Sequence, residues 1–414
     1  MHERRVVVTG MGTVNPLANS VAGTWKAVLE GRSGIGPITR FDASHLSTQF
    51  AGEVRELDTA SLFEGELAKK SKRFDTFCLY AAAATREAAD QAGLPGLPNR
   101  DRIGISVGSG IGGIAVQHDN SVALATKGSR RVSPYYVPLS IGNMASGIVS
   151  MMYGIRGPNL SPQTACATAN HSVAMAQLII RANMADVMIA GGAEGTVTEL
   201  SLAGFGNMHA LSTRNDSPET ASRPYDKDRD GFVLSEGSAV LILEEYEHAR
   251  RRGAPILAEV LACGMSGDAY DFVAPDPEGA GARLSMKMAL EQAERNAADL
   301  DYINTHGTST PMGDVAEVQG IYSLIENSAD HTHVSSTKSY HGHVLGATAG
   351  VEAIITICAM RDGVVPANRN LFNPDPQLPP VQLPTEHVEK PIRLALSNSF
   401  GFGGHNSSLI LAAV

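Results

Sequence analysis

Two stretches of this sequence have the same pattern of small and apolar residues, and this internal repetition limits the folds that the chain can adopt. Cys166 begins a helical run rich in small and apolar residues, and His343 begins a similar run that continues to Ile355. Short apolar strands alternate with helices on both sides of these runs, which indicates crossover connections, mostly parallel sheets and an α/β fold. Two similar halves would bring the two helix starts together at a pseudo-twofold axis.

The repetition also predicts where the chain divides. A break at Gly253-Ala254-Pro255 follows a helix that we predict over 244–252. We therefore expect an N-terminal half, residues 1–253, that carries Cys166, and a C-terminal half, residues 254–414, that carries the histidines at 306 and 343. A chain of 414 residues with 43% hydrophobic residues is long enough for two domain-sized cores.

Bulk properties indicate a cytoplasmic protein. The four cysteines lie far apart and form no C-x-x-C pair, so neither a zinc site nor a disulfide framework is predicted. The N-terminus runs straight into an apolar strand at Val6, and no apolar run reaches membrane-spanning length, so we expect no signal peptide and no membrane association. The net charge of −10 argues against nonspecific nucleic-acid binding.

Basic residues concentrate in two segments of this acidic chain. One of them opens a long helix that we predict from Lys69 to Ala92. Such a cluster is usually a solvated helix face, but on an acidic protein it is equally a dock for an acidic partner, and both interpretations stay open. The candidate docking residues are Lys69, Lys72, Arg73, Arg130 and Arg131.

Three loop-like segments resemble nucleotide-, phosphate- or calcium-binding motifs, but we interpret each of them as structural. Gly10-Met11-Gly12 lacks the third glycine of a dinucleotide fingerprint, so we predict a tight turn after the first strand. The loop Gly108–Gly113 lacks the Gly-Lys-Ser/Thr ending of a phosphate loop, yet its glycines predict a close approach to its backbone. Spaced aspartates in Ser222–Gly231 resemble a calcium loop, but interleaved Lys and Arg favour a salt-bridged surface loop.

Cys166 lies just where a helix begins, near unpaired backbone N–H groups and the positive end of the helix dipole. This position stabilises a thiolate over a thiol. An isolated cysteine is more often a buried core residue, and an isolated histidine is more often structural. Here the cysteine is combined with Lys338 and with histidines at 306 and 343, all in glycine-bounded segments. That set suits a thioester reaction, in which the thiolate accepts an acyl group and neutral imidazoles donate hydrogen bonds to an enolate oxygen.

Four motifs in order resemble the signatures of the β-ketoacyl-acyl-carrier-protein synthases, closest to the type II condensing enzyme of fatty-acid synthesis. They are Thr164-Ala165-Cys166, Asn304–Thr310, Ser336–Gly346 and Asn398–Gly404. The resemblance extends from Val8 to Leu411 and implies a thiolase fold: five αβαβα layers, two pseudo-duplicated halves with mixed sheets, and a homodimer.

The implied activity is the decarboxylative Claisen condensation of malonyl-acyl-carrier-protein with an enzyme-bound acyl thioester, which elongates fatty acyl chains by two carbons. The resemblance implies no cofactor of the enzyme's own, because the phosphopantetheine belongs to the carrier protein. Cys166 would accept the acyl group, and His306 and His343 would polarise the malonyl thioester. Lys338 would supply positive charge and hold the histidines, with Glu317 as a supporting partner.

The resemblance also implies how substrate is held. Backbone N–H groups of Cys166 and Phe402 would form the oxyanion hole, and the Phe402 side chain would gate the acyl pocket. Thr308 and Thr310 would contact the pantetheine arm, and Ile111 would lie near the far end of the pocket.

Some residues depart from the family pattern, and some alternatives stay open. Gln163, His341 and His405 stand where other residues are common. A silent partner subunit would lack Cys166, and a degradative thiolase would need a second cysteine in the C-terminal glycine-rich loop. A polyketide or secondary-metabolite ketosynthase remains the competing function. The sequence does not indicate the preferred acyl length or a monovalent cation.

Overall fold

The computed structural model describes residues 4–414, and its helices and strands alternate through both halves. The helices in this range are α1 Val21–Leu29, α2 Gly65–Ser71, α3 Thr76–Ala92, α4 Ile114–Lys127, α5 Tyr136–Ser140, α6 Met144–Tyr153, α7 Thr168–Arg181, α8 Glu199–Asn207, α9 Tyr246–Arg251, α10 Ala280–Ala293, α11 Pro311–Ile325, α12 Lys338–His341 and α13 Thr348–Asp362. The strands are β1 Val6–Val14, β2 Ile35–Pro37, β3 Phe50–Gly52, β4 Ile103–Gly108, β5 Asn159–Leu160, β6 Val187–Glu194, β7 Gly237–Glu245, β8 Ala258–Gly267, β9 Tyr302–Asn304, β10 His333–Ser335, β11 Val364–Val365, β12 Val388–Glu389, β13 Leu394–Gly401 and β14 His405–Ala412.

The main sheet consists of two halves with the same topology. Within residues 4–414 it has ten strands, in the order β5-β4-β6-β7-β1 for the N-terminal half and β10-β9-β13-β14-β8 for the C-terminal half. Counted from each outer edge, two parallel pairings are followed by two antiparallel ones. Strands β1 and β8 join the halves through Val7–Glu259 and Val8–Ala258. The predicted pseudo-duplication with mixed pairing is confirmed.

The expectation of mostly parallel sheets is wrong. Of the nine strand pairings that build the main sheet in the described residues, five are antiparallel. Strands β13 and β14 show one reason, because only Phe402–Gly404 separates them. A connection of that length closes a hairpin and cannot make the crossover that a parallel pair needs.

The helices and the two half-sheets form the five predicted layers. Helices α3 and α6 share an apolar core with β4 and β6 on the outer face of the N-terminal half. Helices α10 and α11 do the same with β9 and β13 on the outer face of the C-terminal half. The largest core lies between the half-sheets and contains α7 and α13. These two helices form the buried middle layer of the five layers that the resemblance implies.

The helix predicted from Lys69 to Ala92 is interrupted, and the structure has α2 and α3 instead. Asp75 has an extended backbone conformation with φ −65° and ψ 153°, and its carboxylate accepts the Phe77 N–H at 3.4 Å. An N-cap of this kind begins a new helix, so the chain turns between Lys72 and Asp75. The run of basic residues concealed this start signal.

Gly10 and Gly12 lie inside β1, so the predicted tight turn is wrong. A Cβ atom at Gly12 would lie 2.0 Å from the Ala84 carbonyl oxygen, and one at Gly10 would lie 2.1 Å from that of Ala88. The glycines therefore allow α3 to approach the strand more closely than any side chain would permit.

The Ser222–Gly231 loop is salt-bridged as predicted, but most of it is buried, and only Lys227 and Asp228 are exposed. Arg223 pairs with Asp226 at 2.9 Å, and Arg229 pairs with Asp375 at 2.7 Å. The Arg229 side chain is 2% exposed. The first pair lies within the loop, and the second ties the loop to the C-terminal half of the chain.

Other sequence-based expectations concern the whole chain. The four cysteines, Cys78, Cys166, Cys263 and Cys358, are free and buried. Within residues 4–414, no helix combines the length and the apolarity needed to cross a membrane. The boundary at 253/254 falls in the loop between α9 and β8, and as a division between domains it stays a prediction.

The close approach of α3 to β1 predicts that Gly12→Ala destabilises the fold. The new methyl group would overlap the Ala84 carbonyl, so we expect the free energy of unfolding to fall by about 3 kcal/mol. Gly204→Ala is the matched control, because a Cβ atom at that exposed position of α8 meets nothing within 4 Å. Urea denaturation measures both variants, and equal stabilities would contradict the packing that we describe.

Candidate active site

The candidate site forms where α7 and α13 begin. A 3₁₀ turn precedes each helix, Ala165–Ala167 before α7 and Leu345–Ala347 before α13. The first residue of each turn has a positive φ, 48° at Ala165 and 47° at Leu345. Cys166 and Gly346 therefore occupy equivalent positions, and the structure brings the two turns into contact as the internal repetition predicts.

The nucleophile candidate and the two histidines meet at this contact. The Cys166 sulfur lies 3.1 Å from His343 Nε2. The rings of His306 and His343 pack edge to face with their centroids 5.4 Å apart. One ligand atom from each of the three residues lies within 4.8 Å of the other two. The structure thus assembles residues from three distant motifs around one sulfur atom.

A buried ion pair lies beside the histidines. Lys338 Nζ contacts Glu352 Oε1 at 2.6 Å, and both side chains are almost fully buried. Burial, and after it the Lys338 charge, holds the pKa of His306 and of His343 well below the usual range for histidine. Both imidazoles are therefore neutral near pH 7, and each can donate one N–H to an oxygen atom that becomes negative.

The Cys166 sulfur is a thiol in the resting site. Burial raises its pKa to about 12, although the Lys338 charge and the backbone N–H groups of Phe402 and Cys166 act in the opposite direction. The expectation that the helix start stabilises a thiolate therefore does not hold here, because burial outweighs the dipole of a short turn. The neutral imidazole of His343 is placed to accept the thiol proton.

The same three residues have the spacing of a metal site. Cysteine and histidine ligands at such distances are typical of zinc centres. The electrostatics favour a different occupant, because the Lys338 charge that lowers both histidine pKa values also repels a divalent cation. A thiolate or an enolate, by contrast, is stabilised by that charge.

Glu317 supports His306 through the backbone. Its carboxylate accepts the N–H groups of His306 at 2.8 Å and Gly307 at 2.7 Å, and Asn398 Nδ2 donates to it at 3.2 Å. The direct partner of Lys338 is Glu352, which sequence reasoning missed. A signal was present, because Glu352 is the one acidic residue in the apolar run from 343 to 355.

Phe402 lies in the short loop between β13 and β14. Its backbone N–H and that of Cys166 act to lower the pKa of the Cys166 thiol, so both groups lie near the sulfur. Their action as an oxyanion hole stays a prediction. Gly403 and Gly404 follow with φ values of 81° and 72°. The Phe402 ring lies 6.5 Å from the ring of Phe205. Its action as a gate stays a prediction.

A cavity of about 410 Å³ leads to the sulfur. Cys166, His306 and His343 line it together with Thr308, Thr310, Met312 and Phe402. The hydroxyl oxygens of Thr308 and Thr310 are 3.0 Å apart, so the two predicted pantetheine contacts face the same space.

Unlike Thr308 and Thr310, Ile111 lies outside the lining of the cavity. Among the described residues it belongs to the apolar cluster around Cys166 and Leu345. Its position at the far end of an acyl pocket stays a prediction.

The basic candidates form part of one surface region. The Arg73 guanidinium stacks over the Tyr135 ring at 4.8 Å and so connects the segment that contains Lys69 and Lys72 with the segment that contains Arg130 and Arg131. All five side chains are exposed. Lys69 is paired with Glu66 at 2.5 Å.

The three departures from the family pattern lie near the site. Gln163 Nε2 donates to the Gly110 carbonyl at 3.1 Å. His341 is buried, and its Nε2 lies 3.2 Å from the Thr337 hydroxyl. His405 packs edge to face with His171, with ring centroids 6.5 Å apart.

Comparison with known families agrees with this geometry. Residues 3–249 match the N-terminal domain of beta-ketoacyl synthase, and residues 257–372 match its C-terminal domain. The chain belongs to the β-ketoacyl synthase family. It is 49% identical over 416 residues to the 3-oxoacyl-[acyl-carrier-protein] synthase 2 of Vibrio cholerae, with 99% of each chain covered. The protein of the same name from Coxiella burnetii is 47% identical over 415 residues, with 100% of each chain covered.

Solved structures of ketosynthases share the fold of this family member. A beta-ketoacyl synthase from Burkholderia phymatum superposes with a TM-score of 0.92 at 32% identity, with 99% of this chain and 100% of the other covered. A type II PKS ketosynthase bound to its acyl-carrier protein and a hexaketide superposes with a TM-score of 0.91 at 28% identity, with 100% of each chain covered.

The buried thiol predicts how Cys166 reacts with iodoacetamide. Because its pKa is raised to about 12, the thiolate fraction and the alkylation rate should rise about tenfold per pH unit from about pH 6 to about pH 9. The measurement is loss of condensing activity against time, with peptide mapping to identify the labelled cysteine. A rate that is constant above about pH 7 would instead indicate a resting thiolate–imidazolium pair.

Proposed function

We propose that this β-ketoacyl synthase joins an enzyme-bound acyl group to malonyl-acyl-carrier-protein by decarboxylative Claisen condensation and so elongates fatty acyl chains by two carbons. The observation that carries the proposal is the placement of Cys166, His306 and His343 with their reactive atoms within 4.8 Å of one another. Their cavity and the buried Lys338 beside them supply access and charge. The full-length identity to 3-oxoacyl-[acyl-carrier-protein] synthases 2 supports the fatty-acid substrate.

The first half-reaction loads the acyl group. The Cys166 sulfur attacks the carbonyl carbon of the incoming thioester while its proton passes to His343 Nε2, 3.1 Å away. The N–H groups of Cys166 and Phe402 stabilise the negative oxygen of the tetrahedral intermediate. The bond from carbon to the pantetheine sulfur then breaks, and the departing thiolate takes the proton from His343.

The second half-reaction forms the new carbon–carbon bond. The malonyl carboxylate leaves as carbon dioxide, and the electrons of the broken bond pass into an enolate whose oxygen accepts hydrogen bonds from the neutral His306 and His343. For this step the N–H proton of His343 lies on Nε2, so the ring is in the tautomer opposite to the one that accepts the thiol proton. The enolate carbon attacks the acyl carbon on Cys166. The carbon–sulfur bond breaks, and the Cys166 thiolate that leaves takes up a proton from water as the product departs on the carrier.

The surroundings of the reaction are part of the proposal. The pantetheine arm arrives on the acyl carrier protein and lies along Thr308 and Thr310, so the enzyme needs no cofactor or metal of its own. We propose a homodimer in the cytoplasm. Strand β5 supports the dimer, because Asn159 and Leu160 form an exposed outer edge that a second copy can cover.

The division of labour predicts separable half-reactions. Cys166→Gln removes the acyl acceptor but leaves both imidazoles, so malonyl decarboxylation should persist while condensation is lost. His306→Ala should still load an acyl group, because the thiol contacts His343, but condensation should fall by about a hundredfold or more. Radiolabelled acyl transfer and carbon dioxide release measure the two steps. Equal loss of both activities in both folded variants would contradict these roles.

The exposed basic region predicts how the carrier protein docks. Reversing Lys69 and Arg73 to Glu should raise the KM for carrier-bound substrate by about tenfold at low salt, and by less at high salt, because exposed charges are screened. Substrate thioesters on free pantetheine are the control, since they need no protein docking. An equal effect on both substrates would show that the region has a structural role.

One observation favours a second candidate, a polyketide ketosynthase. The ketosynthase that superposes with a TM-score of 0.91 is described with a hexaketide. Condensation rates against saturated acyl and poly-β-keto acyl carriers of matched length distinguish the two functions. Faster reaction with the poly-β-keto series would favour the second candidate.

A further inference from the structure

Glu194 is a buried carboxyl group that the proposed mechanism does not use. It ends β6 and is 0% exposed. It accepts the Gly110 N–H, the Ser109 hydroxyl at 3.1 Å and the Gly346 N–H at 3.2 Å. One side chain thus holds the loop Gly108–Gly113 to the turn that precedes α13.

The internal repetition explains what this carboxyl group replaces. Gly346 is equivalent to Cys166, and Glu194 ends β6 as Gly401 ends β13. A Cβ atom at Gly401 would lie 3.1 Å from the Cys166 nitrogen, so both strand ends reach the corresponding turn. At the nucleophile turn, the Cys166 N–H is the proposed donor to a substrate oxygen. At the other turn, the carboxylate of Glu194 accepts the equivalent N–H, that of Gly346.

A second side chain holds the same loop from outside. Gln163 Nε2 donates to the Gly110 carbonyl at 3.1 Å, so both polar backbone groups of Gly110 are bonded to side chains. Gln163 is exposed and lies three residues before the nucleophile. A Cβ atom at Gly110 would also lie 3.2 Å from the Ala165 carbonyl oxygen, so the loop fits closely against the nucleophile turn.

The next residue, Ile111, connects the position of Gly110 with the surroundings of the acyl group. Ile111 follows Gly110 directly and packs in the apolar cluster that contains Cys166, Leu345 and Phe232. A shift of Gly110 therefore moves an apolar side chain of the cluster that surrounds the acylated cysteine. Protein interiors are close-packed, so a shift of one residue displaces its neighbours and is not absorbed.

We propose that Glu194 and Gln163 are positioning residues that clamp Gly110, and that this clamp determines which acyl chain lengths are accepted. The inference rests on the proposed condensing function. Neither residue touches the reacting atoms. The clamp acts by setting the distance between the Ile111 loop and the nucleophile turn, so it affects acyl chains that reach this loop and leaves shorter chains unaffected.

The charge of Glu194 is not what the clamp requires. Burial raises the pKa of this carboxyl to about 8, so near neutral pH much of it is protonated. The amide oxygen of a glutamine can accept the same two N–H groups, and the serine hydroxyl can accept from its NH₂ group. Glu194→Gln should therefore preserve the clamp, whereas Glu194→Ala removes it.

The test measures kcat/KM for a ladder of acyl chains in four variants. In Glu194→Ala, the ratio of long-chain to short-chain kcat/KM should change by about tenfold, as expected when a buried hydrogen-bond partner is lost. Gln163→Ala should change it in the same direction by about threefold, since that bond is exposed. Glu194→Gln should match the wild type. Glu53→Ala is the control, because Glu53 is a buried carboxylate bonded to Thr39 outside the cavity.

The outcomes separate the clamp from a merely structural role. A ratio that stays at the wild-type value in Glu194→Ala and Gln163→Ala would overturn the proposal. An equal loss of kcat/KM at all chain lengths, as expected for Glu53→Ala, would also overturn it. If Glu194→Ala does not fold, the ratio of long-chain to short-chain kcat/KM measured for Gln163→Ala tests the proposal, because that residue is exposed. A wild-type protein that elongates no acyl chain would instead refute the proposed function.

Discussion

Contact between the two helix starts is the constraint on which the active site depends. Small residues let the start of α13 fit against its neighbours, because a Cβ atom at Gly346 would lie 2.5 Å from the nitrogen of Gly110, and one at Gly350 would lie 3.0 Å from Ala239 Cβ in β7. The contact brings Cys166 to within 3.1 Å of His343, a residue 177 positions later in the chain. Larger side chains at these glycines would separate the nucleophile from the group that accepts its proton.

Burial then determines the charges of the assembled site. It keeps Cys166 protonated and both histidines neutral, and it raises the pKa of Glu317 to about 7. Lys338, held in place by Glu352, puts its positive charge next to these neutral groups. Negative charge that develops on sulfur or oxygen during the reaction thus meets oriented donors and a cation that need no rearrangement, which is the main electrostatic source of enzymatic rate enhancement.

The sequence predicted the residues of the site better than their interactions. Helix starts and glycine-bounded motifs are local features, so the meeting of Cys166, His306 and His343 followed from the internal repetition and the resemblance. Burial is not local, and the thiol pKa was therefore misjudged. Glu194 bonds to Gly346, 152 positions away, and such a pairing has no signal in a single sequence. The glycines of β1 were misread because their reason lies in α3, which packs across them.

The way the two halves share the central layer has a consequence for synthesis on the ribosome. Helix α13 packs on β7 of the N-terminal half, and α7 packs on β8 of the C-terminal half, although β1 and β8 join the half-sheets over a short stretch. The first half to leave the ribosome covers part of its inner sheet face with its own α7, but the part at β7 on which α13 packs has to wait for the second half. Until α13 is made, that apolar face is open to water, and the nascent chain is exposed to aggregation during this interval.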